Sequence, residues 1–88
     1  MQLLGKRWTG LVLSILMTGT RRFSEIESAL PISGRLLSER LKELEAAGLV
    51  SREVFPEVPV RVEYSLTPKG KAMEPIIKAV EDWAHEWS

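Results

Sequence analysis

Between Pro31 and Thr67 the sequence carries the punctuation of one helix, a tight exit and a short β-hairpin, and this constrains the chain more than any other segment. Ser33 is a good N-cap, because its hydroxyl can accept from an orphan N–H of the first helical turn. Ile32 and Leu37 occupy the two positions of a hydrophobic staple, which sets the entry angle of the chain. Leu36 stands where a capping-box Glu or Gln would be, so that device is absent. Leu37, Leu41 and Leu44 recur at helical spacing and make a buried stripe. Gly48 fits the left-handed position just past a helix, with Leu49 placed to touch Leu44 across a Schellman turn. The expected helix therefore runs from Gly34 to Ala47. After it, Val50–Phe55 and Val60–Thr67 read as strands joined around Pro56-Glu57-Val58-Pro59. The second alternates cleanly, with Val60, Val62, Tyr64 and Leu66 on one side and Arg61, Glu63 and Ser65 on the other. The first alternates poorly and is placed by its position beside the second.

The flanking segments are helical. Gly5 to Met17 carries Trp8, Leu11, Val12, Ile15 and Leu16 at three- and four-residue spacing, and Gly19 follows as a stop. Phe23 to Leu30 reads as a short helix, ended by Pro31 because a proline pushes the residue before it out of the helical region. Thr67 and Pro68 form an N-cap and first position for a last helix. Met73, Ile76, Ile77, Val80, Trp83, Ala84 and Trp87 run down that helix as one broad apolar stripe, and Pro75 within it either kinks the helix or resets its start. The expected fold is mainly α with a small β-hairpin, one domain over residues 1–88, with 68–88 as a C-terminal helix.

A chain of 88 residues buries only about 60–65% of its unfolded surface, so further apolar contact matters to its stability. Cysteine is absent, which removes disulfides and thiolate metal sites and agrees with a reducing, cytoplasmic setting. Lys plus Arg and Asp plus Glu are equal at 12 each, yet the charge is unevenly spread. From Thr20 to Lys42, Arg21, Arg22, Arg35, Arg40 and Lys42 stand against Glu25, Glu27 and Glu39, whereas from Glu74 to Ser88 the acids Glu74, Glu81, Asp82 and Glu86 face only Lys78. Such polarity suits a nucleic-acid face opposite an acidic partner face. The apolar run Leu11–Met17 is too short to span a membrane. There is no glycine-rich phosphate loop, no nucleophile with a base and no metal-ligand cluster, so no enzyme, metal or cofactor is expected. His85, a lone histidine among acids, reads as surface.

Two short helices joined through Pro31-Ile32-Ser33 make a helix-turn-helix, whose second member can lie in a major groove. Arg35, Ser38, Glu39 and Lys42 share one face of that second helix. Arginine can donate two bonds to guanine, serine can bond phosphate or base, and lysine suits phosphate. Glu39 either accepts from cytosine or holds Arg35 in place. Ser33 at the cap adds a hydroxyl beside this face. Arg61 near the hairpin tip is expected to reach the minor groove, with Arg52 or Lys69 on the flanking phosphate. The competing reading of Arg61 is a surface pair with Glu63, worth under about 1 kcal/mol. Arg40 lies off this face and is expected to form a structural ion pair with Glu43 or a neighbour rather than read a base.

The apolar stripe of the last helix exceeds what a small monomer needs there and is expected to form a dimer contact through Ile76, Ile77, Val80, Trp83 and Trp87, with Trp8 from the first helix. The partners expected are double-stranded DNA and a second copy of the chain. Two readings from other classes remain: a winged helix used for protein–protein contact, and a dimer that binds a small-molecule effector beside Trp83 and Trp87.

Several segments together resemble the HxlR family of small bacterial and archaeal transcriptional regulators, related to the MarR group. They are Gly5-Lys6-Arg7-Trp8, Arg22-Phe23, Pro31-Ile32-Ser33 with Leu37 and Arg40-Leu41, Leu44 through Val50, Val58 through Thr67, and the later Pro75 and Trp83. The resemblance implies a winged helix-turn-helix homodimer, paired through its terminal helices, on a pseudo-palindromic operator. Many members carry a cysteine just before the Gly-Lys-x-Trp segment and sense oxidants or electrophiles with it. These residues contain no cysteine, so thiol-based sensing within them is excluded.

Overall fold

The computed structural model describes residues 7–87, and the expected helical start at Gly5 and Lys6 lies outside them. The elements run α1 (Arg7–Met17), β1 (Arg21–Arg22), α2 (Phe23–Ala29), α3 (Gly34–Ala46), β2 (Val50–Phe55), β3 (Arg61–Leu66), α4 (Pro68–Lys71) and α5 (Glu74–Trp87).

The boundaries of α3 follow from its caps. Ser33 is extended at φ −69° and ψ 149°, and its hydroxyl accepts from the Leu36 N–H at 3.1 Å. At the other end Gly48 adopts φ 77°. The Gly48 N–H then bonds Glu45 O and the Leu49 N–H bonds Leu44 O, both at 3.0 Å. This is the expected Schellman closure, with Ala47 as the cap rather than the last helical residue. In α2 the helix stops at Ala29, and Leu30 turns extended at φ −130° and ψ 144° ahead of Pro31.

Two expectations change. The hairpin is a three-stranded antiparallel sheet of order β1-β3-β2, in which Arg21 pairs with Tyr64 and Arg22 with Glu63. Nothing periodic can mark a two-residue strand of arginines; it exists because the edge of β3 offers free backbone partners. Arg21 is also tied to its own turn, donating to Thr18 Oγ1 at 2.7 Å and to the Thr20 carbonyl at 2.9 Å. Second, the last helix is two helices. Thr67 caps α4, accepting from the Gly70 N–H at 3.0 Å, and Pro68 follows as first residue. The chain then breaks at Ala72 and Met73, and α5 restarts at Glu74 with Pro75 in its first turn, where a missing N–H costs nothing. Pro75 therefore resets the helix and does not kink it.

The core is built from Val12, Leu13 and Leu16 of α1, Ile26 of α2, Leu37, Leu41 and Leu44 of α3, and Leu49, Val50, Tyr64, Leu66 and Ile77 around them. Each such side chain contributes about 1.5–3 kcal/mol of burial, well above any surface ion pair. Ile32 is buried as the staple requires. Along β3 the alternation holds from Val62 to Leu66, but Val60 lies before the strand and is exposed, since the strand begins at Arg61.

Candidate nucleic-acid interface

The turn between α2 and α3 is held locally. The Ile32 N–H bonds Leu30 O at 2.8 Å and the Leu37 N–H bonds Ser33 O at 2.9 Å. With Ile32, Leu37, Leu41 and Leu44 anchored in the core, the opposite face of α3 is fixed toward solvent. That face carries Arg35, Glu39 and Lys42, all exposed, with Ser38 half-buried between them. Arg35 Nε lies 3.8 Å from Glu39 Oε1, and the side chains are 92% and 53% exposed. A pair this open is worth at most a few tenths of a kcal/mol. It therefore leaves the Arg35 guanidinium available to a stronger acceptor. Ser33 spends its hydroxyl oxygen on the cap while its proton stays uncommitted. Arg40 pairs with Glu43, as its position off this face implied.

The remaining candidates divide. Lys42 and Arg52 are exposed and make no ion pair among the described residues. Arg61 does not reach outward as expected. Its guanidinium lies 2.8 Å from Glu57 Oε2 and 3.4 Å from Glu63 Oε2, and stacks 4.0 Å from the centre of the Phe55 ring. Two carboxylates and an aromatic face within reach of one short turn hold it more cheaply than water does. These contacts make it a brace inside the wing. Lys69 also departs from expectation: its ammonium donates to the Ala47 carbonyl at 2.9 Å. A cation at the C-terminal end of a helix meets the free carbonyls there and the negative end of the helix dipole.

The apolar stripe splits between two roles. Ile77, expected at a dimer contact, is 4% exposed and packs in its own core. Trp8 is half-buried against that core as well. Ile76, Val80, Trp83 and Trp87 point away and are exposed, the last two at 65% and 71%. An open apolar groove lined by Pro75, Ile76, Ala79, Val80 and Trp83 runs along α5. Ser14 of α1 donates to Glu81 Oε1 at 3.1 Å and ties the polar side of α5 to α1. His85 is exposed. Among the described residues no cluster could hold a metal ion, and no helix is long and apolar enough to cross a membrane.

Sequence reasoning missed β1 and the contacts of the Thr67–Gly70 turn. The signal for the latter was a glycine inside a helix begun by Thr-Pro, where a glycine weakens the helix unless close packing requires it.

An exposed cationic helix face, entered through a capped turn and flanked by a three-stranded wing, defines a winged helix-turn-helix DNA-binding domain. The HxlR-like helix-turn-helix family model matches residues 3–88, and the chain belongs to that family. It is 60% identical to YvaP of Bacillus subtilis strain 168, an HTH-type transcriptional regulator of uncharacterised role, over 97% of this chain and 80% of that protein. The reduced form of the transcriptional regulator YodB from B. subtilis superposes with a TM-score of 0.86 at 48% identity, covering 98% of this chain and 85% of that one. A Porphyromonas gingivalis W83 protein described as a MarR-family regulator gives a TM-score of 0.92 at 38% identity, covering 100% and 87%. The protein is thus a transcriptional regulator with a helix-turn-helix DNA-binding fold.

Proposed function

We propose that the protein is a single-domain, cytoplasmic regulator that binds a pseudo-palindromic operator as a homodimer, reading each half-site with α3. The observation that carries this reading is the pairing of two unsatisfied surfaces on one small domain: the cationic face of α3 and the apolar face of α5. Arg35 and Lys42 are exposed with at most one weak partner between them, so they can neutralise phosphate or read guanine without first losing a strong contact. Ser38 and the Ser33 hydroxyl supply shorter polar contacts on the same side, and Glu39 tunes Arg35. Arg52 meets the flanking backbone. Arg61 shapes the wing tip instead of adding free charge to it.

The α5 groove is open and built from one helix. A ligand of small size would stay half-solvated there, whereas a second α5 would cover Ile76, Val80, Trp83 and Trp87 at once. Two copies then present two α3 helices about 34 Å apart, one turn of DNA.

Selection of bound duplexes from a random pool tests this reading. The expected outcome is a two-fold symmetric consensus whose affinity falls steeply with salt, as phosphate neutralisation requires. Absence of enrichment would turn the assignment to a winged helix used for protein contact.

A further inference from the structure

The exit of α3 carries an inference that goes beyond the operator-binding reading and rests on its assignment of α3 and α5. The last carbonyls of a helix find no partner within it. Here the carbonyl of the cap residue Ala47 and those of the next two residues, Gly48 and Leu49, are all taken by a single turn. Lys69 Nζ donates to Ala47 O at 2.9 Å, Thr67 Oγ1 donates to Gly48 O at 2.6 Å, and the Thr67 N–H donates to Leu49 O at 3.1 Å. The Thr67 oxygen also accepts from the Gly70 N–H at 3.0 Å, so both capacities of the hydroxyl are used. Gly70 is buried so tightly on this exit that a Cβ there would lie 2.1 Å from the Leu49 oxygen.

The same turn leads directly into α5. The Ala72 N–H bonds Pro68 O at 3.1 Å, the Met73 N–H bonds Gly70 O at 3.0 Å, and the Ile77 N–H bonds Met73 O at 2.9 Å. Ile77 is buried in the core. A continuous ladder of hydrogen bonds therefore joins the end of the DNA-reading helix to the start of the association helix, with no loose linker between them.

We propose that Thr67, Lys69 and Gly70 form a latch that sets the angle of α3 relative to α5, with Lys69 a positioning residue for operator reading and not a phosphate contact. Two copies held through α5 must present both α3 helices at the groove spacing. A latch at the base of each helix transmits that spacing, and a loosened latch loses it. Lys69 is the adjustable member, because it is exposed, flexible and held by a single charge-assisted bond.

The test compares Lys69→Met, which keeps the stem and removes the donor, with Lys69→Arg, which keeps the donor. The probes are the consensus duplex recovered from the random pool and a scrambled duplex of equal length. Lys69→Met should weaken consensus binding about three- to tenfold with an unchanged slope against salt, and Lys69→Arg should restore it. Scrambled-duplex binding, which rests on phosphate contacts alone, should stay within about twofold of the parent. A salt slope shallower by about one would instead mark a phosphate contact and overturn the proposal. Equal loss on both duplexes, or no loss, would overturn it too.

Amide hydrogen exchange in the DNA-free protein gives a readout independent of DNA. Gly48 and Leu49 should lose protection in Lys69→Met and regain it in Lys69→Arg, and unchanged protection would reject the latch. Arg35→Ala separates the two ideas. If it binds the consensus like the parent while Gly48 and Leu49 lose protection in Lys69→Met, the latch stands and the assignment of α3 as reader falls.

Discussion

Gly70 shows how much one missing carbon can decide. A Cβ at this position would sit 2.1 Å from the Leu49 carbonyl oxygen and 3.2 Å from Leu66 Cδ2. Backbone cannot step aside as the end of a side chain can, so α4 would have to lift off the sheet. Gly70→Ala should therefore destabilise the protein by about 1–3 kcal/mol, the usual range for an overpacked site, read as a lower urea midpoint with an unchanged slope. The charged residues teach a different lesson at the same scale. Arg35, Arg61 and Lys69 are equally cationic in the sequence, yet only Arg35 presents its charge outward. Arg61 is enclosed by Glu57, Glu63 and Phe55, and Lys69 is spent on a helix end. The Lys69 partner lies 22 residues away along the chain, which no local pattern records, whereas the partners of Arg61 are its neighbours around the hairpin tip.

At the scale of elements, legibility tracks how local the cause is. Helix α3 was readable almost to the residue because its cap, staple, stripe and Gly48 exit all act within a few positions of one another. The split of the last helix was half-readable: Pro75 announced a restart, but not that α4 would be a separate turn folded onto Leu49. Strand β1 was not readable, since a pair of arginines becomes a strand only when β3 arrives beside it. The apolar stripe of α5 was visible, but its division was not. Ile77 faces α1 and the core while Ile76 and Val80 face away, a distinction set by which side of the helix meets the domain. The cap of α3 yields the element-scale prediction. Ser33→Ala leaves the Leu36 N–H without its side-chain partner and should cost about 1 kcal/mol, measured as a fall in melting temperature.

For the whole molecule, the domain is elongated, with principal extents of 47 × 27 × 22 Å. Val80 and Trp83 lie on its last helix and are 56% and 65% exposed. The double substitution Val80→Asp with Trp83→Ser should convert the proposed dimer to a monomer by sedimentation. The core should survive, and consensus binding should fall by the loss of simultaneous engagement at two half-sites. Every residue from Lys78 to Trp87 is exposed, so the outer turns of this helix bury little apolar surface, although Ser14 holds Glu81. A helix shorter than about 12–15 residues is marginal in water by itself. In the proposed dimer those turns should be stabilised as the two copies meet, making association a folding step as well as a contact. Dilution should then unwind the end of the chain while the core stays intact, seen as far-ultraviolet ellipticity that weakens with falling protein concentration.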